Sequence, residues 1–164
     1  MNRIAIIGGY RTPFARAGGA LAGWQADDLG AFAVVELLAR TRFPAARIDE
    51  LIAGNVAQPI EAANVARVIA LKAGLPEGLI ASTVHRNCAS GIEALTTAAL
   101  KIRAGEARAV LCVASESMSS IPLIAGRELA GMFAASARGR SRWARLRPWL
   151  GLRPRHLAPV RSEE

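Results

Sequence analysis

The stretch Ile80-Ala81-Ser82-Thr83-Val84 followed by His85-Arg86-Asn87-Cys88-Ala89-Ser90-Gly91 decides how the rest of the chain is read. A short β-branched run ends in a polar cluster, and a long small-sided segment then continues to Ala104 and stops at Gly105. The β-branched residues Ile80, Thr83 and Val84 favour a strand, whereas Ala94, Ala98 and Ala99 with Ile92, Leu95, Leu100 and Ile102 suit a helix. Apolar residues cover so much of this helix that the pattern predicts a buried one, with neighbouring backbones close against it. The stretch is therefore a strand that hands over directly to a helix.

The same alternation extends in both directions. Ile4-Ala5-Ile6-Ile7 closed by Gly8-Gly9 reads as a buried strand, and Leu51-Ile52-Ala53 before Gly54 as another. Asp27-Asp28 open a helical pattern through Leu29, Phe32, Ala33, Leu37 and Leu38, with Arg40 at its far end; both charge types suit the helix dipole. Asn64 to Ala73 repeats through Val65, Val68, Ile69 and Leu71 and is closed by Gly74 and Pro76. Ala109 to Ala114 forms the last strand pattern. The order βαβαβαβ predicts an α/β fold, a mostly parallel sheet covered by helices.

Composition narrows the function classes. The 164 residues are 52% hydrophobic and 21% charged, which excludes a disordered or fibrous chain. No apolar run approaches the roughly 18 residues that span a bilayer, so no integral membrane segment is expected. The apolar run after Met1-Asn2-Arg3 is too short for a secretory leader, which points to a cytoplasmic location. Cys88 and Cys112 make no disulfide framework, and with His85 and His156 they show no metal-ligand spacing, so no metal is expected.

The net charge of +8 is uneven. Residues 1–126 hold 12 basic and 10 acidic groups, while 127–164 hold nine arginines and three glutamates. The sequence thus divides into a nearly neutral domain over 1–122 and an Arg-rich loop or docking segment over 123–164. Arg138, Arg140, Arg142, Arg145 and Arg147 with Trp143 and Trp149 give a nucleic-acid or membrane-surface binder some basis. Such a run is more often a solvated or partner-docking face, and nucleic acid is not the expected partner.

Chemistry concentrates at Cys88. A thiol at a helix N-terminus faces unpaired backbone N–H groups and the positive end of the dipole, a setting that favours the nucleophilic anion. Ser90 and Gly91 leave room above the sulfur. The alternative is that Cys88 is a small core hydrophobe, as buried free cysteines usually are. Efficient attack also needs a base. His85 lies three residues away on the strand side of the turn, and His156 lies in the basic tail. Cys112 falls inside a strand and reads as structural. There is no G-x-S-x-G elbow, no phosphate-binding P-loop and no G-x-G-x-x-G after the first strand.

Four ordered blocks over about residues 3–122 resemble the thiolase family. They are Arg11-Thr12-Pro13-Phe14 with Gly18-Gly19, then Gly54-Asn55-Val56 with Asn64-Val65-Ala66-Arg67, then Asn87-Cys88-Ala89-Ser90-Gly91, then Glu116-Ser117-Met118-Ser119. The tail, with Leu129, Arg145-Leu146 and His156-Leu157-Ala158-Pro159-Val160, is similar to the loop region of fatty-acid-oxidation trifunctional β-subunits. The resemblance implies a thiolase-like fold, here an N-terminal half without its last strand. It implies an acyltransferase in which Cys88 takes an acyl group from a 3-ketoacyl-CoA, releases acetyl-CoA and passes the acyl group to free CoA, or runs the reverse Claisen condensation. The Cys88 backbone N–H would be one oxyanion donor. Coenzyme A would be a substrate, with no cofactor.

The family's second half carries the activating histidine, a second cysteine and further oxyanion donors, none of which is matched in this chain. The resemblance therefore implies a partner, either a complementary thiolase half, a second copy in a homodimer, or a trifunctional α-type subunit. A non-catalytic interaction module or a truncated relic of a thiolase is the alternative. His85 stands where the family usually has Asn, and Val113-Ala114 where it usually has two glycines.

Overall fold

The computed structural model describes residues 3–122 and 126–157. The chain falls into two compact units that divide between Pro122 and Leu123.

The first unit is built on a parallel three-stranded sheet. Its elements are α1 (Ala26–Thr41), β1 (Glu50–Gly54), α2 (Val65–Lys72), β2 (Ile80–Val84), α3 (Ser90–Ala104) and β3 (Val110–Ala114). The strand order is β2-β1-β3, so β1 is central. Glu50 lies opposite both Ile80 and Val110, and Gly54 opposite both Val84 and Ala114. All three strands therefore end level with one another.

Side-chain alternation on β1 sorts the core into two layers. Leu51 and Ala53 face Val34, Val65, Ile69, Leu111 and Val113, the layer beneath α1 and α2. Ile52 points the other way onto Ala94 and Ala98 of α3. All five β1 residues are buried, as a central strand covered on both faces must be.

The caps hold the helices where their sequences begin and end. Asn64 Oδ1 accepts from Arg67 N at 3.2 Å, and its Nδ2 donates to Ala81 O at 3.0 Å, which fixes the start of α2 to β2. Asp28 accepts from Gln25 N at the entry to α1. Lys72, in the last turn of α2, bridges Asp27 and Asp28 and so joins the two helices. Gly105 ends α3 at φ +79°, a left-handed conformation that glycine adopts without strain. Buried Glu50 is held by Lys101 at 2.6 Å and Ser82 at 2.9 Å.

Two expectations fail. Ile4–Ile7 is not a strand: Ile6 and Ile7 are 83% and 66% exposed, and the observed order is αβαβαβ rather than βαβαβαβ. Strand propensity is realised only against a ladder partner, and no described strand pairs with this run. The second failure is the burial of α3. Only Ser90, Ala94 and Ala98 are buried, while Ile92, Leu95 and Leu100 lie open. The small residues do bring the helix close to the sheet, but on one face alone.

The second unit contains α4 (Arg127–Arg138) and α5 (Arg142–Leu146), followed by 3-10 turns at Arg147–Gly151 and Pro154–Leu157. Phe133 meets Trp149 edge to face at 4.7 Å. His156 is buried: Nε2 lies 2.8 Å from Glu128, and Nδ1 accepts from Arg153 N. Trp149 and His156 are thus internal supports of this unit. The helix α4 was not evident in the Arg-rich pattern.

Candidate active site

Because the three parallel strands end level, the loops that leave them converge at one edge of the sheet. β1 hands over to α2 and β2 to α3 on opposite faces, and the crevice at such carboxyl ends is where open α/β sheets bind ligands. A cleft of about 920 Å³ occupies this position. Its walls include Arg11–Phe14, Gly54–Ala57, Asn87-Cys88 and Glu116–Ser119. Part of each of the four sequence blocks, more than a hundred residues apart at the extremes, therefore lines a single cavity.

Cys88 is exposed and faces this cavity. It sits two residues before α3, with Ala89 as the cap, so it precedes the helix rather than belonging to its first turn. Asn87 turns the chain at φ 46°, a left-handed conformation that asparagine tolerates better than most residues. The entry is braced from within. Ala89 N donates to Arg86 O and Ser90 N to Asn87 O, both at 3.0 Å. The Ser90 hydroxyl is turned back onto the loop: it donates to Asn87 O at 2.7 Å and accepts from Arg86 N at 2.8 Å. Arg86 also pairs with Glu93 at 2.7 Å.

Two glycines set the depth of α3. A Cβ on Gly54 would lie 2.4 Å from Ser90 O, and one on Gly91 would lie 2.9 Å from the Ala114 methyl. The backbone of α3 therefore touches the end of β1 directly, and Ala114 fills the remaining space against Gly91.

The cleft wall formed by the loops after β1 and β3 is laced by polar bonds. Asn55 is 1% exposed; its N donates to Val84 O, and its Nδ2 donates to Ser115 O at 2.7 Å. Glu116 accepts from Val56 N at 2.9 Å and from Ala57 N at 3.0 Å. Three serines then tie the N-terminal segment down. Ser115 donates to Ala26 O, Ser117 donates to Trp24 O at 2.8 Å, and Ser119 accepts from Gly18 N at 2.9 Å. At the mouth, the Arg11 guanidinium stacks over Phe14 at 4.6 Å.

His85 is exposed, has no hydrogen-bond or ion-pair partner among the described residues, and is not part of the cleft wall. Cys112 donates weakly to Ala94 O at 3.5 Å, and burial pushes its thiol above the ordinary range. It packs between α3 and the sheet, as its strand position implied. No group of three or more metal-ligating side chains is found among the described residues.

The profile of the thiolase N-terminal domain matches residues 4–140. The chain belongs to the thiolase family. The 3-ketoacyl-CoA thiolase of Escherichia coli is 40% identical over 159 residues, which is 97% of this chain and 36% of the relative. The chain thus spans about a third of the length of the thiolases it matches. The fold agrees. An acetyl-CoA acetyltransferase from Bacillus anthracis superposes with a TM-score of 0.71 at 33% identity, covering 74% of this chain and 31% of that one. A thiolase from Ascaris suum in complex with coenzyme A gives the same score at 32% identity, with coverages of 74% and 32%.

Asn55 and Glu116 had no assigned role in the sequence, although both lie inside the recurring blocks. The signal available was their placement one and two residues past strand ends, where loop residues carry function more often than strand residues do.

Proposed function

We propose that this chain is the acyl-accepting part of a thiolase acting on 3-ketoacyl-CoA. The observation that carries the reading is Cys88: an exposed thiol, on the wall of a cleft at the carboxyl ends of parallel strands, just before a helix. Its Sγ would attack the 3-keto carbon. The bond between that carbon and the next would break, its electron pair would leave with acetyl-CoA and take up a proton, and the acyl group would remain on sulfur. Free CoA would then attack this thioester, giving acyl-CoA and returning the Cys88 thiol. In the reverse direction the same sulfur holds the acyl group for condensation.

The residues around the sulfur supply shape and polarity rather than proton transfer. The ionisable side chains on the cleft wall are Tyr10, Arg11, Arg16, Cys112 and Glu116 besides Cys88 itself, and Glu116 is engaged by main-chain amides. The base that activates Cys88 would therefore come from a complementary thiolase half, and the Cys88 N–H would serve as one oxyanion donor. Coenzyme A enters as substrate. A second copy or a trifunctional α-type subunit is the further partner in this reading, with fatty-acid β-oxidation in the cytoplasm as its setting.

The test is to mix the chain with C-terminal thiolase halves and follow ketoacyl-CoA cleavage. Activity that requires both components and is lost in Cys88→Ser supports the reading. No complex and no cleavage with any half would instead favour a non-catalytic module.

A further inference from the structure

We propose that Glu116 is a positioning residue that fixes the loop after β1 on the cleft wall and thereby sets how much acyl chain fits beside Cys88. This rests on the reading of Cys88 as the acyl acceptor, but the geometry stands without it. Glu116 follows β3, and its carboxylate reaches across to the loop that follows β1. One oxygen accepts from Val56 N at 2.9 Å, and the other accepts from Ala57 N at 3.0 Å and lies 3.4 Å from Asn55 Nδ2. The two chain segments are sixty residues apart; their strands are paired, Ser115 N donates to Gly54 O, and beyond these this carboxylate and Asn55 are the hydrogen-bonded ties between them among the described residues.

The loop so held carries the side chains of Val56 and Ala57 on the cleft wall, and Val56 is exposed. Each amide is paired with its own carboxylate oxygen. A glutamine offers one oxygen and turns an NH2 toward the other amide, so it can hold one amide and repels the second. An alanine holds neither. Asn55 Nδ2 is a donor, directed to Ser115 O and Glu116, so it cannot accept from these amides in the place of the carboxylate. The loss of charged acceptors thus frees Val56 and Ala57 to move while the sheet beneath them stays paired.

The test uses the whole chain and reads loop and cleft separately from catalysis. Amide hydrogen exchange at Val56 and Ala57 is measured in wild type, Glu116→Gln and Glu116→Ala. In parallel, Cys88 is alkylated with N-ethyl and N-decyl iodoacetamide, and the ratio of the two rates reports the room beside the sulfur. Exchange at these amides should quicken by on the order of tenfold in Glu116→Gln, and more in Glu116→Ala, with β1 amides unchanged. The ethyl-to-decyl ratio should shift by at least about threefold in the same order, whereas Ile69→Ala, which destabilises the fold elsewhere, should leave it alone. If Glu116→Ala does not fold, Glu116→Gln decides. Unchanged exchange, or a ratio that moves equally in Ile69→Ala, overturns the proposal. If exchange and ratio shift as expected while no acyl group is ever transferred to Cys88, the positioning role survives and the thiolase reading does not.

Discussion

Replacing Gly54 by alanine should displace the start of α3 and with it the approach to Cys88. The added methyl would lie 2.4 Å from Ser90 O, 2.5 Å from Ser90 C and 2.8 Å from Gly91 N, all backbone atoms. Even the tightest real contacts of a Cβ lie near 3.0 Å, so helix and strand must part by about 0.6 Å. The strand cannot yield easily, because Gly54 is paired on both sides, with Val84 and with Ala114. Overpacking of this kind costs about 1–3 kcal/mol, and the backbone partners place Gly54→Ala in the upper part of that range. With a urea m-value of about 1–3 kcal/mol/M, the unfolding midpoint should fall by roughly 1 M. The assay is urea unfolding followed by circular dichroism, with Gly78→Ala, whose Cβ would meet nothing within 4 Å, as control. The rate of Cys88 alkylation should change in Gly54→Ala and not in Gly78→Ala. A stability loss below about 0.5 kcal/mol together with unchanged alkylation would refute direct contact between β1 and α3.

Four further outcomes follow from the packing and charges. Ile69, fully buried between α1 and the sheet, should cost about 2–5 kcal/mol on truncation to alanine, read from the same unfolding curves. The Lys72 ammonium holds the Asp28 carboxyl below its ordinary value, so the stability it contributes is full above about pH 4 and is lost as pH falls through the lowered folded value; Asp28→Asn should flatten that acid limb. Asp27 and Asp28 raise Lys72 in turn, a contribution present below its ordinary value of 10.5 and lost only as pH rises beyond the raised folded one, which Lys72→Met should remove from unfolding curves at alkaline pH. Iodoacetamide should modify Cys88 before Cys112, whose thiol is shielded and pushed up by burial; equal rates in the native chain would contradict the placement of both.

The layers of the fold were legible because local signals carried them. Leu51, Ile52 and Ala53 alternate onto two covered faces, Asn64 caps α2, and Gly105 ends α3, each for a reason confined to a few residues. Cys88 was legible for the same reason, since a strand-turn-helix boundary places it at the edge of the sheet. The rest depended on register. Nothing local tells that Gly54 lies level with Ala114, and only that pairing brings Glu116 to Val56 and Ala57. The Ile4–Ile7 run shows the converse, a local preference with no partner strand to express it. In the second unit α4 carries arginine only at its ends, Arg127 and Arg138, and the Phe133–Trp149 contact that packs it joins residues sixteen positions apart.

The account rests on Cys88 as the sulfur that receives the acyl group. Incubating the chain and a C-terminal thiolase half with a 3-ketoacyl-CoA, quenching in acid and mapping the peptides by mass spectrometry tests this directly. The expected result is a hydroxylamine-labile acyl mass on the peptide containing Cys88, absent in Cys88→Ser and undiminished in Cys112→Ser. Acyl-CoA product formed by Cys88→Ser at the wild-type rate, or an acyl mass carried by Cys112 instead, would contradict it.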